Sequence, residues 1–224
     1  MIANEGTYKR IKEEIKSSAG LVAVSKTKSI EEIRSLYELG QRDFGENYVQ
    51  ELIEKQKSLP KDIRWHFIGH LQSNKVKFIA PFIHLIQSVD SFKLLNEIEK
   101  QARKSDLRID CLLQVHIAKE ETKFGLNEDE LDDCLQKSRE GSMTHVTIRG
   151  LMGMATLTGD SNQVRAEFKR LKFLFDKYSG DFIKGGHEAI LSMGMSSDYR
   201  IAIEEGSTMV RIGTLLFGER PSKV

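Results

Sequence analysis

The feature that most restricts this chain is a rhythm. Eight short apolar runs, at residues 21–26, 43–47, 64–69, 84–89, 111–117, 146–154, 189–195 and 209–214, alternate with stretches patterned as helix. A period of two marks strands and a period near 3.6 marks amphipathic helices. The connections are too long for hairpins, so consecutive strands run parallel through crossovers. No low-complexity linker divides the chain, and its 224 residues are enough for one sizeable core. The fold class expected is α/β: a single (β/α)8 TIM-type barrel over residues 1–224, with an open doubly wound sheet as the alternative.

The helical stretches carry their own punctuation. A leading helix within residues 1–18 places Tyr8, Ile11 and Ile15 on one stripe, which would pack on the barrel. Ser29 followed by Glu32 spells a capping box, and the helix it opens stops at Gly40 with Ile33, Leu36 and Tyr37 on its buried face. Residues 91–104 bury Leu94, Leu95, Ile98 and Ala102; residues 161–177 bury Val164, Phe168, Leu171 and Phe175.

Charge and cysteine usage exclude several classes. Lys and Arg number 34 against 33 Asp and Glu, so there is no electrostatic reason to expect nucleic acid or a membrane. Cys111 and Cys134 lack any metal-ligand or CxxC spacing, which argues against a disulfide scaffold or structural zinc and for a reducing compartment. The first twenty residues are too charged for a secretory leader, and no run spans a bilayer; a soluble, cytoplasmic protein is expected. His66 and His70 lie too far apart along a strand to share one ion, so no metal is expected. His66 and His116 read as hydrogen-bonded structural residues, and Lys75 and Lys77 as a solvated helix face.

In a barrel of this kind, chemistry belongs at the C-terminal strand ends. The first strand ends VAVSK, and alternation puts Val22, Val24 and Lys26 on one face, making Lys26 an inward amine at the barrel mouth. Partial burial favours its neutral form, a nucleophile toward aldehydes. The strand alone leaves open whether Lys26 instead reaches into solvent. The last strand, MVRIGT, offers Gly213 and Thr214 where barrels hold phosphate. Ser192 sits inside an apolar strand and needs a hydrogen-bond partner, which a phosphate oxygen would supply. Ser196 and Ser197 are placed to cap the next helix, while Met152, Met154, Met193 and Met195 read as core filler.

Seven motifs occur in order: AVSKTKS at 23–29, FGENYVQE at 44–51, WHFIGHLQSNK at 65–75, KFGL at 123–126, RGLMGM at 149–154, LSMGMSSD at 191–198 and VRIGTLLFG at 210–218. Through them the chain resembles the YggS/PROSC family of pyridoxal 5′-phosphate (PLP) homeostasis proteins over nearly its whole length. The resemblance implies the PLP-binding barrel shared with the N-terminal domain of alanine racemase, with a Schiff base on Lys26 and Arg211 facing the pyridine nitrogen. It places Ser192, Gly213 and Thr214 at the phosphate, Asn47 near the ring, and Met193, Met195 and Ser196 as further neighbours. The loop ATLTGDSNQ after Met154 departs from the family pattern, as in a subgroup, and puts only rim contacts in doubt.

The function implied is storage, buffering or delivery of PLP rather than turnover. A guanidinium can only donate a hydrogen bond, so it would hold the ring nitrogen unprotonated and weaken the electron sink. Racemisation needs an acid or base on each face of the substrate, and the racemases' second domain finds no room here. PLP-dependent apoenzymes are the expected clients, a client lysine taking over the cofactor, and a monomer is expected. The alternatives are a small single-domain PLP-dependent amino-acid racemase and, more distantly, a Schiff-base aldolase.

Overall fold

The computed structural model describes residues 4–120, 123–141, 143–182 and 188–219. Residues 1–3 of the expected leading segment and 220–224 of the expected domain lie outside the described residues. Eight strands are present: β1 Gly20–Val24, β2 Asp43–Glu46, β3 Arg64–Phe67, β4 Leu85–Val89, β5 Ile109–Val115, β6 Val146–Gly153, β7 Ile190–Ser192 and β8 Met209–Ile212. All pair in parallel with their sequence neighbours, and β1 closes on β8 with Gly20 opposite Met209 and Ala23 opposite Ile212. The sheet is therefore a closed barrel, which eliminates the doubly wound alternative.

Ten α-helices accompany them among the described residues: α1 Glu5–Ile15, α2 Ile30–Glu38, α3 Val49–Ser58, α4 Val76–Ile79, α5 Phe92–Lys104, α6 Glu128–Glu140, α7 Ser161–Lys177, α8 Ser179–Phe182, α9 Tyr199–Glu204 and α10 Thr214–Phe217. Local chemistry explains several boundaries. Both halves of the Ser29/Glu32 capping box form, and Gly40 takes a φ of +96° after α2. Ser91 and Asp160 cap α5 and α7, and Asn4 caps α1, which lays Tyr8, Ile11 and Ile15 against β1 and α10. Two expected core aromatics sit shallower. Tyr37 is only half-buried because its hydroxyl donates to Asp62, and Phe175 yields the deepest place on α7 to Leu174.

The core has two parts. The larger lies between the barrel and its helices and includes Ala23, Phe44, Phe67, Ile86 and Phe168; the smaller fills the barrel itself with Leu85, Leu112 and Met152. Two register shifts interrupt the ring, one in β4 between Ile86 and Val89 and one in β6, where Arg149 is an extra residue between Ile148 and Gly150 opposite β5. Gly150 has a φ of +146°, and a Cβ there would stand 2.0 Å from the Ile190 carbonyl oxygen. Only glycine lets β6 and β7 approach so closely.

Candidate functional site at the C-terminal mouth

Each of the seven motifs crosses or follows the C-terminal end of a strand, or packs on one, so the barrel gathers them at a single mouth. The last strand turns there at Gly213, where an added Cβ would meet Val24 Cβ at 3.3 Å and its carbonyl oxygen at 3.4 Å. The end of β8 thus lies directly on the end of β1, two residues before the half-buried Lys26.

Arg211 is the site's buried cation. It is 3% exposed; one guanidinium nitrogen donates to Ser192 Oγ at 2.6 Å and another to the Gly153 carbonyl at 2.9 Å. A guanidinium carries five N–H donors, and these two bonds use two of them. Burial pulls its pKa down to about 10, opposed by the nearby Asp198 carboxylate. It remains protonated at neutral pH.

Ser192 has its partners within the barrel wall. Its oxygen accepts from Arg211, and its hydroxyl donates to Gln87 Oε1 at 2.7 Å. That fixes the Gln87 amide, whose nitrogen faces His66 Nδ1 at 2.9 Å; His66 Nε2 therefore carries the proton and donates to Asp43 Oδ1 at 3.0 Å. A head-to-tail chain of donors so runs down the barrel from Arg211 at the mouth to Asp43 at the opposite rim. The Ser192 hydroxyl does not require a phosphate oxygen, contrary to the reason sequence suggested for it.

The serines of the β7–α9 loop also differ from expectation. Neither caps α9, whose N-cap is Asp198, and the Asp198 carboxylate turns back to accept the Met195 N–H at 2.6 Å. Ser196 Oγ instead accepts the Gly213 N–H at 3.2 Å, and Ser197 is exposed. Ser196, Gly213 and the exposed Thr214 thus assemble hydroxyl and amide donors at one spot. Met193 is completely buried in the outer core, so its side chain is removed from the mouth; Met195 is half-buried. Asn47 sits past the end of β2 with its Oδ1 buried and without a hydrogen-bond partner, while a Cβ at Gly69 would stand 2.3 Å from its carbonyl oxygen.

Around Lys26 the structure adds a cluster that sequence reasoning missed. The fully buried Glu46 accepts from Ser25 Oγ at 2.6 Å and from Lys55 Nζ at 2.8 Å, and Lys55 Nζ also donates to the Ser25 carbonyl at 2.8 Å and to Glu51 at 3.0 Å. Burial pushes the Glu46 carboxyl pKa up, against the pull of Lys55. A carboxylate ending an apolar run, as in DFGE, and a glutamine inside HLIQSV were the available signals, since buried polar groups demand partners.

His70 and His116 make local structural contacts. His70 falls in the loop after β3, where it hydrogen-bonds Asp90 and stacks on Phe124 at 4.0 Å. His116 Nε2 lies 2.9 Å from the Glu120 carbonyl. Ligand atoms of Asp43, His66 and His84 lie within 4.8 Å of one another. However, Asp43 already receives the Arg64 fork at 2.7 and 2.5 Å as well as His66, so about three of its four lone-pair sites accept protons. No helix among the described residues is long and apolar enough to cross a membrane.

Comparison with known proteins gives this geometry a family. The family model described as alanine racemase, N-terminal domain, matches residues 3–221. The pyridoxal phosphate homeostasis protein of Aquifex aeolicus is 42% identical over 204 residues, covering 90% of this chain and 87% of its own length. This chain belongs to the pyridoxal phosphate homeostasis protein family. The human homeostasis protein is 39% identical over 210 residues, 89% of this chain and 76% of its own. The PipY protein of Synechococcus elongatus, solved with and without PLP, superposes with a TM-score of 0.84 at 34% identity, over 95% of this chain and 99% of PipY. An alanine racemase of Clostridium difficile, 16% identical, shares the fold with a TM-score of 0.76 over 97% of this chain and 57% of its own.

Proposed function

We propose that this chain is a PLP-binding homeostasis protein that stores, buffers or delivers the cofactor, with Lys26 as the covalent anchor. PLP brings an aldehyde that condenses with a primary amine, an aromatic ring that can accept negative charge, and an anionic phosphate. The groups at the mouth match those three parts. Lys26 supplies the amine, Arg211 the donor for the ring nitrogen, and Ser196, its oxygen held by the Gly213 N–H, supplies with Thr214 the hydroxyl donors for the phosphate. Asn47, with its unsatisfied buried oxygen, is assigned to the ring edge.

The observation that carries this reading is the buried Arg211, fixed by Ser192 and Gly153 at the mouth beside the strand of Lys26. Removing a guanidinium from water is costly, and an anionic ligand offsets that cost. Because Arg211 donates only, it does not protonate a ring nitrogen, and this supports custody of the cofactor over turnover. Ser192 is assigned to Arg211 rather than to phosphate.

The test is a visible absorption titration with PLP, followed by borohydride reduction and peptide mapping. A new band should appear and the reduced adduct should map to Lys26; Lys26→Ala should abolish both. Protein that stays colourless at saturating PLP, or a variant that keeps the adduct, overturns the reading. Delivery requires in addition that loaded protein activate a PLP-dependent apoenzyme faster than the equivalent free PLP.

A further inference from the structure

Thr27, immediately after Lys26, has a φ of +63°, one of two positive values among the described non-glycine residues. For a β-branched side chain the left-handed region is unfavourable, and unaided it shifts the population away by roughly 5- to 30-fold. A turn closed by the Lys28 N–H on the Ser25 carbonyl at 3.0 Å puts Thr27 in this region, and a second contact secures it. The Thr27 N–H donates to Glu51 Oε2 at 2.8 Å, a charge-assisted bond from the first turn of α3.

The peptide on the other side of Lys26 is held from the same place. The Ser25 N–H bonds the Gly45 carbonyl at 3.0 Å, prolonging the β1–β2 ladder by one step. Its carbonyl accepts from Lys55 Nζ and its hydroxyl donates to Glu46. Lys55 in turn joins Glu46 to Glu51, with nitrogen to oxygen distances of 2.8 and 3.0 Å. One linked set of charges therefore grips the backbone both before and after Lys26.

We propose that Glu51, backed by Lys55 and Glu46, is a positioning residue that presets the Lys26 backbone for cofactor capture by holding Thr27 in the left-handed region. This rests on the assignment of Lys26 as the anchor. Glu51 acts through Thr27 and Lys26, not on the cofactor. A residue that tolerates positive φ at position 27 would make Glu51 dispensable, because glycine adopts that conformation without a steric cost.

The experiment compares four proteins: wild type, Glu51→Ala, Thr27→Gly and the Glu51→Ala/Thr27→Gly double variant. Two quantities are read: the second-order rate of the PLP absorbance change, and hydrogen exchange of the backbone amide at position 27 without cofactor. Glu51→Ala should slow capture roughly 5- to 30-fold and deprotect the amide. Thr27→Gly should stay within about 3-fold of wild type, and the double variant should recover to that level although its amide has no carboxylate partner. Capture by Glu51→Ala at the wild-type rate, or a double variant as slow as Glu51→Ala, overturns the proposal while borohydride mapping still finds Lys26 labelled. Labelling elsewhere in wild type overturns the anchor assignment and this proposal with it.

Discussion

Replacing Ser192 by alanine separates two roles for one hydroxyl. A phosphate ligand matters only when phosphate is present, whereas the structure makes this hydroxyl the joint between Arg211 and Gln87. The change removes a bond from a charged donor, worth about 1.5–3 kcal/mol, and a neutral bond worth about 0.5–1.5 kcal/mol. Partial relaxation of Gln87 sets the expected loss for the cofactor-free protein at about 2–4 kcal/mol. Urea unfolding reads it as a lower midpoint at unchanged slope. A second arm compares affinities for PLP and for pyridoxal, which lacks the phosphate. Ser192→Ala should leave their ratio within about 3-fold of wild type, while Ser196→Ala should lower it about 10-fold, or about 1.4 kcal/mol, and unfold within about 1 kcal/mol of wild type. Cofactor-free Ser192→Ala as stable as wild type, with a collapsed affinity ratio, would refute the reasoning and return the hydroxyl to the phosphate.

Two other outcomes follow from the same structure. Folding holds the Asp43 carboxyl well below its ordinary pKa of 3.8 through His66 and Arg64, which outweigh its burial. The unfolded chain thus takes up that proton first on acidification, so the stabilisation is complete above pH 3.8 and declines as the pH falls below it. Asp43→Asn should flatten this part of the acid limb of stability against pH, measured by urea midpoints; an unchanged limb contradicts the assignment. Gly150→Ala should cost more than about 3 kcal/mol or prevent folding, because its Cβ would strike the Ile190 carbonyl. A thermal scan within a degree or two of wild type would show that β6 and β7 can separate there.

The barrel was legible because parallel strands buried on both faces read as apolar runs, and each of the eight runs overlaps a strand. Their C-terminal ends were read too long: β1 ends at Val24 and β7 at Ser192, and although Ser25 and Met193 each keep one cross-strand bond, the chain turns there at the mouth. Lys26 and Gly213 were singled out by position at those ends, and Arg211 and Asn47 by the family resemblance. What stayed hidden depends on distant partners. Ser192 meets Gln87 across 105 positions, and Thr27 is held in a conformation normally signalled by glycine through Glu51, 24 positions away. The helix-capping reading of Ser196 failed because Asp198 occupies the cap and the Gly213 amide competes for the hydroxyl.

Closure of the ring between its first and last strands gives the site an order of assembly. Lys26 follows β1, whereas Arg211 and Gly213 belong to β8 and its turn, and the backbone joins the two at four registered pairs from Gly20 with Met209 to Ala23 with Ile212. A nascent chain on the ribosome carries the amine early but lacks its cationic and amide counterparts until the eighth strand has emerged. On the proposed assignment of Lys26 as the anchor, the full set of cofactor contacts exists only in a finished barrel.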